Sequence, residues 1–197
     1  PVQFWTQSKG PDTIKPLSKK DDVKLSYALK EFGLQFSFMP YDFTQINPFI
    51  NQVLVRRAMS LLKPSKDDRI FDFFCGLGNF TLPIATSGAK VMGIEGSASL
   101  IERAKQCRDE NHLNDFVEYQ CMNLFDITKE SLLKLGHANK WLIDPPRDGA
   151  FQLVQLIDDD IHPSIIVYVS CNPATLARDA QILVHEKGYK LDKAGIV

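Results

Sequence analysis

Ile166-Val-Tyr-Val-Ser-Cys-Asn-Pro-Ala-Thr175 has the pattern of a buried strand that runs directly into a helix. This order places Cys171 at the carboxyl end of a parallel strand and at the amino end of a helix. Open α/β sheets hold their ligands at that edge. Backbone N–H groups and the helix dipole there favour an anion, which suits a cysteine that acts as a nucleophile. We therefore interpret Cys171 as a catalytic nucleophile.

Strand and helix patterns alternate on the amino-terminal side of this stretch and continue after it. Strands of this length separated by helices predict an α/β fold with a doubly wound, mostly parallel sheet and helices on both faces. A strand is also predicted over 34–38 from its alternating pattern, and a helix over 49–62, with Asn47 as a possible cap. The strands predicted for the sheet cover 69–75, 90–95, 116–121, 140–144, 165–170 and 189–197.

Composition limits the possible functions. The chain has 197 residues, a net charge of −1 and 44% hydrophobic residues, so a sizeable core is expected without the basic excess of a general DNA binder. No run of about 18 apolar residues predicts a membrane span. Cysteines occur at four widely separated positions without a C-x-x-C pair, which predicts free thiols in a reducing cytoplasm and no metal site. These positions are Cys75, Cys107, Cys121 and Cys171.

A glycine loop follows the first strand of the alternating region. Gly76 and Gly78 let the backbone approach a ligand closely, but Thr81 occupies the third glycine position of the dinucleotide-binding motif. Glu95 ends the next strand and can accept hydrogen bonds from both ribose hydroxyls of a nucleoside. Asn123 follows the third strand, where a polar group would face an adenine. The combination suits S-adenosylmethionine as well as NAD.

The sequence Ile143-Asp-Pro-Pro-Arg147 ends the fourth strand in a stiff corner that aims Asp144 into the cleft. Enzymes that methylate exocyclic amines carry a similar motif followed by an aromatic residue. Here that position is Arg147, which argues against amine chemistry and leaves carbon chemistry or a phosphate contact. A thiol is needed for carbon chemistry at uracil, because addition at C6 turns C5 into a nucleophile. Cys171 therefore points to pyrimidine C5 methylation.

The sequence resembles the RNA uracil-5-methyltransferase family from about residue 25 onward. Within it, the bacterial enzymes that methylate 23S ribosomal RNA are the most similar. The resemblance implies a Rossmann-like class I methyltransferase fold, Cys171 as nucleophile and S-adenosylmethionine as cofactor. It is carried by the motifs FTQIN (43–47), DFFCGLGNFTLPIA (72–85), GIEGS (93–97), IDPPR (143–147) and YVSCNPATLARD (168–179). The cofactor contacts that it implies are Gln45, Phe74, Asn79, Glu95, Asn123 and Asp144.

The resemblance also implies how the chain is divided. Residues 1–44 are expected to be an arm or the remnant of a preceding RNA-binding domain, and residues 45–197 the catalytic domain. The sheet is expected to be incomplete at the carboxyl terminus. The family's general base, a Glu in a His-x-Glu-Ser segment, would lie beyond Val197. We therefore expect the chain to bind the cofactor without completing turnover.

The expected substrate is RNA with an unstacked target base, 23S ribosomal RNA being favoured over tRNA. Arg147 and Arg178 are candidate phosphate contacts. We expect a monomer in the cytoplasm that binds neither membrane nor DNA. A NAD-dependent oxidoreductase and a non-catalytic RNA-binding module remain alternatives at this point.

Overall fold

The computed structural model describes residues 2–10, 13–18 and 24–197. Two small antiparallel hairpins come first, β1 (Trp5–Thr6) with β2 (Lys15–Pro16) and β3 (Leu25–Leu29) with β4 (Leu34–Phe38). The strand predicted over 34–38 is thus confirmed. Part of the arm predicted over residues 1–44 lies outside the described residues, namely residues 1, 11, 12 and 19–23. The boundary at residue 44 stays a prediction.

The second hairpin shares the core of the main sheet. Leu29, Leu34 and Phe36 are buried in the same cluster as residues of the sheet. The Ser37 hydroxyl also donates, at 2.9 Å, to the carboxylate of Glu110, which ends the helix Ala98–Glu110. The hairpin is therefore an integral layer of this fold.

The main sheet has five parallel strands in the order β7-β6-β5-β8-β9. The expected doubly wound α/β architecture is confirmed. Its strands are β5 (Arg69–Phe73), β6 (Lys90–Glu95), β7 (Val117–Cys121), β8 (Lys140–Ile143) and β9 (Ile165–Tyr168). The helices are α1 (Pro48–Leu62), α2 (Thr81–Ala85), α3 (Ala98–Glu110), α4 (Lys129–Lys134), α5 (Phe151–Gln155) and α6 (Pro173–His185).

Alternate residues of the central strands β5 and β8 enter two separate hydrophobic clusters, one on each face of the sheet. Ile70 and Leu142 face the side that the second hairpin, α1 and α2 cover. Phe71, Phe73 and Trp141 face the side that α4, α5 and α6 cover. A parallel sheet needs cover on both faces, because its strands are apolar on both sides.

Helix ends follow the capping residues of the sequence. The Asn47 side chain accepts from the N–H groups of Phe49 and Ile50, which confirms it as the cap of α1. The Ser97 hydroxyl caps α3 by accepting from Leu100 N. Each cap satisfies N–H groups that the helix leaves without an intrahelical partner.

The sixth strand predicted over 189–197 is wrong. All of these residues are described, and none lies in a strand. The backbone N–H of Tyr189 donates to the carbonyl of Leu183 in the last turn of α6. The Tyr189 ring stacks on the His162 ring, with the ring centroids 4.7 Å apart. From Lys190 onward every residue is exposed. An apolar segment becomes a strand only where a neighbour pairs with its backbone, and here no neighbour does.

Substituting Gly93 by Ala should destabilise the fold. The new Cβ would lie 2.6 Å from Tyr119 Cε1 and 2.9 Å from Cys75 Sγ, deep in the sheet. Such overpacking typically costs about 1–3 kcal/mol. Gly96→Ala is the matched control, since its nearest atom, Met122 O, is 3.7 Å away. Urea unfolding of both variants gives the comparison, and equal midpoints would contradict this packing.

Candidate active site

The residues predicted for the site lie in loops at the carboxyl ends of the parallel strands. Parallel pairing places those ends on one edge of the sheet, where α/β folds bind ligands. The loop after β5 carries the glycines, β6 ends in Glu95, Asp144 follows β8 and Cys171 follows β9. The topology thus brings together residues that are up to about a hundred positions apart in the sequence.

The loop after β5 turns sharply through three residues with positive φ. Phe74, Gly76 and Gly78 have φ angles of 63°, 54° and 90°. Gly78 N donates to Cys75 O at 2.8 Å, which closes the turn. A Cβ on Gly78 would lie 2.5 Å from the hydroxyl of Tyr119, so both conformation and space exclude a side chain there.

The Glu95 carboxylate is held by backbone groups of two loops. Its two oxygens accept from Gly76 N at 3.2 Å and from Ser97 N at 3.0 Å. An ionised carboxylate can accept about four hydrogen bonds, so acceptor capacity remains for two hydroxyl donors. The half-buried side chain is therefore oriented before any ligand arrives.

The Asn79 side chain is engaged inside the protein. Its Oδ1 accepts from Asn51 Nδ2 at 2.9 Å and from the Tyr27 hydroxyl at 3.0 Å, and its Nδ2 donates to Asn51 Oδ1 at 2.9 Å. The reciprocal pair joins the glycine loop to α1, and Tyr27 joins it to β3. Asn79 can therefore contact a ligand only through its backbone or through the second hydrogen of its side-chain amide.

The sequence reasoning missed Asn51 and Tyr27. A sequence signal was available for Asn51 alone, because it stands among apolar residues on the buried face of α1. Gln45 is half-buried and precedes α1, whose Asn51 reaches the glycine loop. The same contact therefore ties the segment of Gln45 to the site.

Asn123 and Phe74 mark the loops beyond β7 and β5. Asn123 accepts from Phe125 N at 3.0 Å and donates to Asp126 at 2.5 Å, so its amide shapes a local turn. The rings of Phe74 and Phe125 pack against each other, with their centroids 5.7 Å apart. Phe125, which the sequence reasoning did not single out, therefore adds an aromatic surface to this part of the site.

Asp144 continues the ladder of β8, since its N–H donates to Phe73 O at 3.3 Å. Burial raises the pKa of the Asp144 carboxyl from 3.8 to about 6. The position after β8 therefore holds a carboxylate that is largely ionised at neutral pH and that a cationic group would stabilise.

Cys171 lies in a tight turn between β9 and α6, and its side chain is exposed. Asn172 caps α6 by accepting from Ala174 N at 3.0 Å, while Asn172 N donates to Ser170 Oγ at 3.1 Å. Cys75 and Cys107 are buried, and burial raises the pKa of both thiols. At the carboxyl ends of the strands, Cys171 and Cys121, the last residue of β7, are exposed, whereas Cys75 is enclosed.

The family model described as tRNA (Uracil-5-)-methyltransferase matches residues 11–195. The chain belongs to this family.

Two curated relatives have the name 23S rRNA (uracil(1939)-C(5))-methyltransferase RlmD. The protein from Chromobacterium violaceum is 54% identical over 197 residues, covering 100% of this chain and 38% of the relative. That from Dechloromonas aromatica is 56% identical over 196 residues, covering 100% of this chain and 45% of the relative. The chain therefore spans less than half the length of these relatives.

A solved structure supports the fold. The Pyrococcus abyssi tRNA (uracil-54, C5)-methyltransferase in complex with S-adenosyl-L-homocysteine superposes with a TM-score of 0.72 at 27% identity. The match covers 86% of this chain and 39% of that one. The Rossmann-like methyltransferase fold implied by the sequence motifs is confirmed.

Within the described residues, no group of three or more acidic, histidine or cysteine side chains is arranged to hold a metal ion. Across the same residues, no helix is both long and apolar enough to cross a membrane. Arg178 donates to Asp179 and to the Asp148 carbonyl, and its contact with an RNA phosphate stays a prediction. The side chain of Arg147 is exposed.

A buried acid below the glycine loop was not singled out as a site residue. Asp72 is fully buried, and its Oδ2 accepts from the Thr81 hydroxyl at 2.5 Å. Its Oδ1 and the nearby Tyr119 hydroxyl have no partner among the described residues. Burial, reinforced by the charge of Asp144, raises the pKa of Asp72 to about 8. Asp72 is therefore mostly protonated at neutral pH in this family member.

The Asp72→Asn variant should lose a pH dependence of stability that the parent protein has. An Asp titrates near 3.9 when unfolded, so the folded protein binds this proton more tightly. Its stabilising effect is complete below about pH 4 and declines by up to about 1.4 kcal/mol per pH unit until about pH 8. Urea unfolding between pH 5 and pH 8 should show this decline relative to the Asn variant. The exposed Asp67→Asn is the control, and parallel curves for parent and Asp72→Asn would contradict the prediction.

Proposed function

We propose that this chain is the catalytic core of an enzyme that transfers a methyl group from S-adenosylmethionine to C5 of a uridine in 23S ribosomal RNA. The observation that carries the proposal is the exposed Cys171 on the same sheet edge as the glycine loop, Glu95 and Asp144. The two RlmD relatives, 54% and 56% identical, favour 23S ribosomal RNA as substrate.

The described residues fit the proposed cofactor. Glu95 retains acceptor capacity for ribose hydroxyls, and the glycines leave the backbone of the loop open to a ligand. Asp144 offers a carboxylate to a cation, and Phe74 with Phe125 offers ring surface. Bound there, S-adenosylmethionine would supply an electrophilic methyl group on a positively charged sulfur. The residues proposed to hold it are Gln45, Phe74, Gly76, Gly78, Asn79, Glu95, Asn123 and Asp144.

The thiol explains why a carbon atom is the acceptor. Cys171 Sγ adds to C6 of the uracil, and the electrons of the C5–C6 double bond move toward C5 and O4. C5 then has the electron pair that would form the new carbon–carbon bond as the sulfur–methyl bond of the bound cofactor breaks, and the cofactor would leave as S-adenosylhomocysteine. Loss of the C5 proton restores the double bond and expels the thiolate. An amine or oxygen acceptor needs no such thiol.

The target base must leave its stack to reach Cys171, which favours a loop or a flipped nucleotide. Arg147 is exposed, and we propose that it contacts an RNA phosphate. We further propose that the protein acts as a monomer in the cytoplasm, where ribosomal RNA is modified.

A tRNA uridine is the second candidate substrate. The family description and the Pyrococcus abyssi structure, both named for tRNA, support it. Methylation assays with a 23S RNA fragment and with a tRNA distinguish the two.

Binding of S-adenosylmethionine should weaken as the pH falls through the pKa of Asp144. With a pKa of about 6, the carboxyl is about 90% ionised at pH 7 and about 10% at pH 5, so the affinity should fall roughly tenfold. Asp72 stays mostly protonated over this range, because its pKa is about 8. Calorimetry at pH 5, 6 and 7 measures the effect.

Asp144→Asn is the matched variant, and its affinity should be lower at pH 7 and nearly independent of pH. NAD serves as the control ligand and should give no binding heat. Tight NAD binding would support the oxidoreductase alternative, and an unchanged pH profile in Asp144→Asn would remove Asp144 from the cofactor site.

Cys171→Ala should abolish covalent capture of RNA that carries 5-fluorouridine at the target. Fluorine at C5 cannot leave as a proton would, so the sulfur–C6 bond persists after methyl transfer and the complex survives denaturing gel electrophoresis. Cys121→Ala, which removes the other exposed cysteine, should form the complex at the parent rate. A non-catalytic RNA-binding module would give no covalent complex with any of these proteins.

A further inference from the structure

A buried carboxylate on α6 connects the two loops that carry Asp144 and Cys171. Asp179 is fully buried in the second turn of the helix. Its Oδ2 accepts from the Tyr168 hydroxyl at 2.6 Å and from Ala150 N at 2.7 Å. Tyr168 is the last residue of β9, three positions before the cysteine. Ala150 ends the loop that begins at Asp144.

The other oxygen of Asp179 engages Arg178, and this pair reaches the same loop. Arg178 Nε donates to Asp179 Oδ1 at 2.8 Å, and Arg178 Nη2 donates to the Asp148 carbonyl at 2.9 Å. Its guanidinium also lies over the Phe151 ring at 5.2 Å. A buried carboxylate is costly unless charged and polar donors surround it, and here they do.

The first turn of α6 holds the loop at a third point. The Arg147 carbonyl accepts from Asn172 Nδ2 at 2.9 Å and from the Thr175 hydroxyl at 3.1 Å. Asn172 directly follows the nucleophile in the sequence. The carbonyl that precedes Asp148 is thus tied to the residue next to Cys171.

Gly149 completes this clamp, by which we mean the contacts of residues 147–150 with Tyr168, Asn172, Thr175, Arg178 and Asp179. Its φ is 78°. A Cβ there would lie 2.6 Å from Arg178 Nη2 and 2.7 Å from Asp179 Oδ2. The loop therefore lies against the helix with no space between them.

We propose that Asp179 is a positioning residue, which fixes the Cys171 turn against the Asp144–Arg147 loop through the clamp. Asp179 is fully buried and both of its oxygens accept hydrogen bonds within the protein, so it does not act on substrate directly. A nucleophile loses much of its rate advantage when its placement shifts by about 1 Å. The inference rests on the proposed function, since it assigns how that reaction's nucleophile is held.

Burial and the bond to Asp179 raise the pKa of the Tyr168 hydroxyl well above its usual value. The phenol therefore remains a hydrogen-bond donor at every pH at which the enzyme would be assayed. Tyr168→Phe removes that one donor and keeps the ring, which makes it a second probe of the same clamp.

The test follows covalent capture of 5-fluorouridine RNA by the chain in the presence of S-adenosylmethionine, with time. Asp179→Asn and Thr175→Val should lower the rate constant at saturating RNA at least tenfold. Cofactor affinity and the RNA concentration for half-maximal rate should stay within about twofold. Thr175→Ser keeps the hydroxyl and should restore the parent rate constant.

A merely structural role predicts a different result. Partial unfolding would lower the amount of complex formed and leave the rate constant of the folded fraction unchanged, including in Tyr168→Phe. Parent-like rate constants in Asp179→Asn, Thr175→Val and Tyr168→Phe would overturn the inference. If the parent chain itself forms no complex, the proposed function fails instead, so the two failures are distinguishable.

Discussion

The hydrogen bonds between β5 and its two neighbours determine where every part of the candidate site lies. β5 pairs in parallel with β6 on one side and with β8 on the other. Phe73 therefore lies opposite Ile94 and Ile143, so the glycine loop, Glu95 and Asp144 all begin within about one residue of the same level. Parallel pairing is possible only because helices return the chain across both faces, and the two hydrophobic clusters stabilise that return.

This arrangement places several acidic groups close together at one edge of the sheet. Besides burial, the charges of Asp144 and Glu95 both raise the pKa of Asp72, and each of the three acids has different surroundings. Burial raises the pKa of Asp72 to about 8 and that of Asp144 to about 6, whereas Glu95 is fixed by two backbone N–H groups. A protonated Asp72 avoids a third negative charge beneath the loop. The two remaining carboxylates then face the cleft, where a cofactor with a cationic sulfur would offset their repulsion.

Most of the fold was predictable because its signals are local. The approximate extents of the strands and helices follow from the spacing of their apolar residues. The ends of these elements follow from the capping residues Asn47 and Ser97 and from the glycine turns. The strand predicted over 189–197 failed because pairing depends on a neighbour that the pattern of one segment does not encode. The proposed site residues Gly76, Gly78, Glu95, Asn123, Asp144 and Cys171 were predicted by their place after strands, whereas Gln45, Phe74 and Asn79 came only from the family resemblance. The contacts of Tyr27 and Asp179 were not predictable, because they join distant segments: Tyr27 and Asn79 are 52 positions apart, and Asp179 and Ala150 are 29 apart.

Cys75 and Cys171 both follow strands of the sheet but differ in exposure, which is why only Cys171 is proposed as a nucleophile. Cys75 follows the central strand and is enclosed by Gly93, Tyr119 and the glycine loop, and burial raises its thiol pKa. Cys171 follows β9, which has a paired neighbour on one side only, and its sulfur is exposed. A reagent as large as RNA can reach a sulfur at the edge of the sheet but not one at its centre. An exposed turn would also be mobile, and the bonds from Asn172, Thr175 and Asp179 to the neighbouring loop restrain this one without covering it.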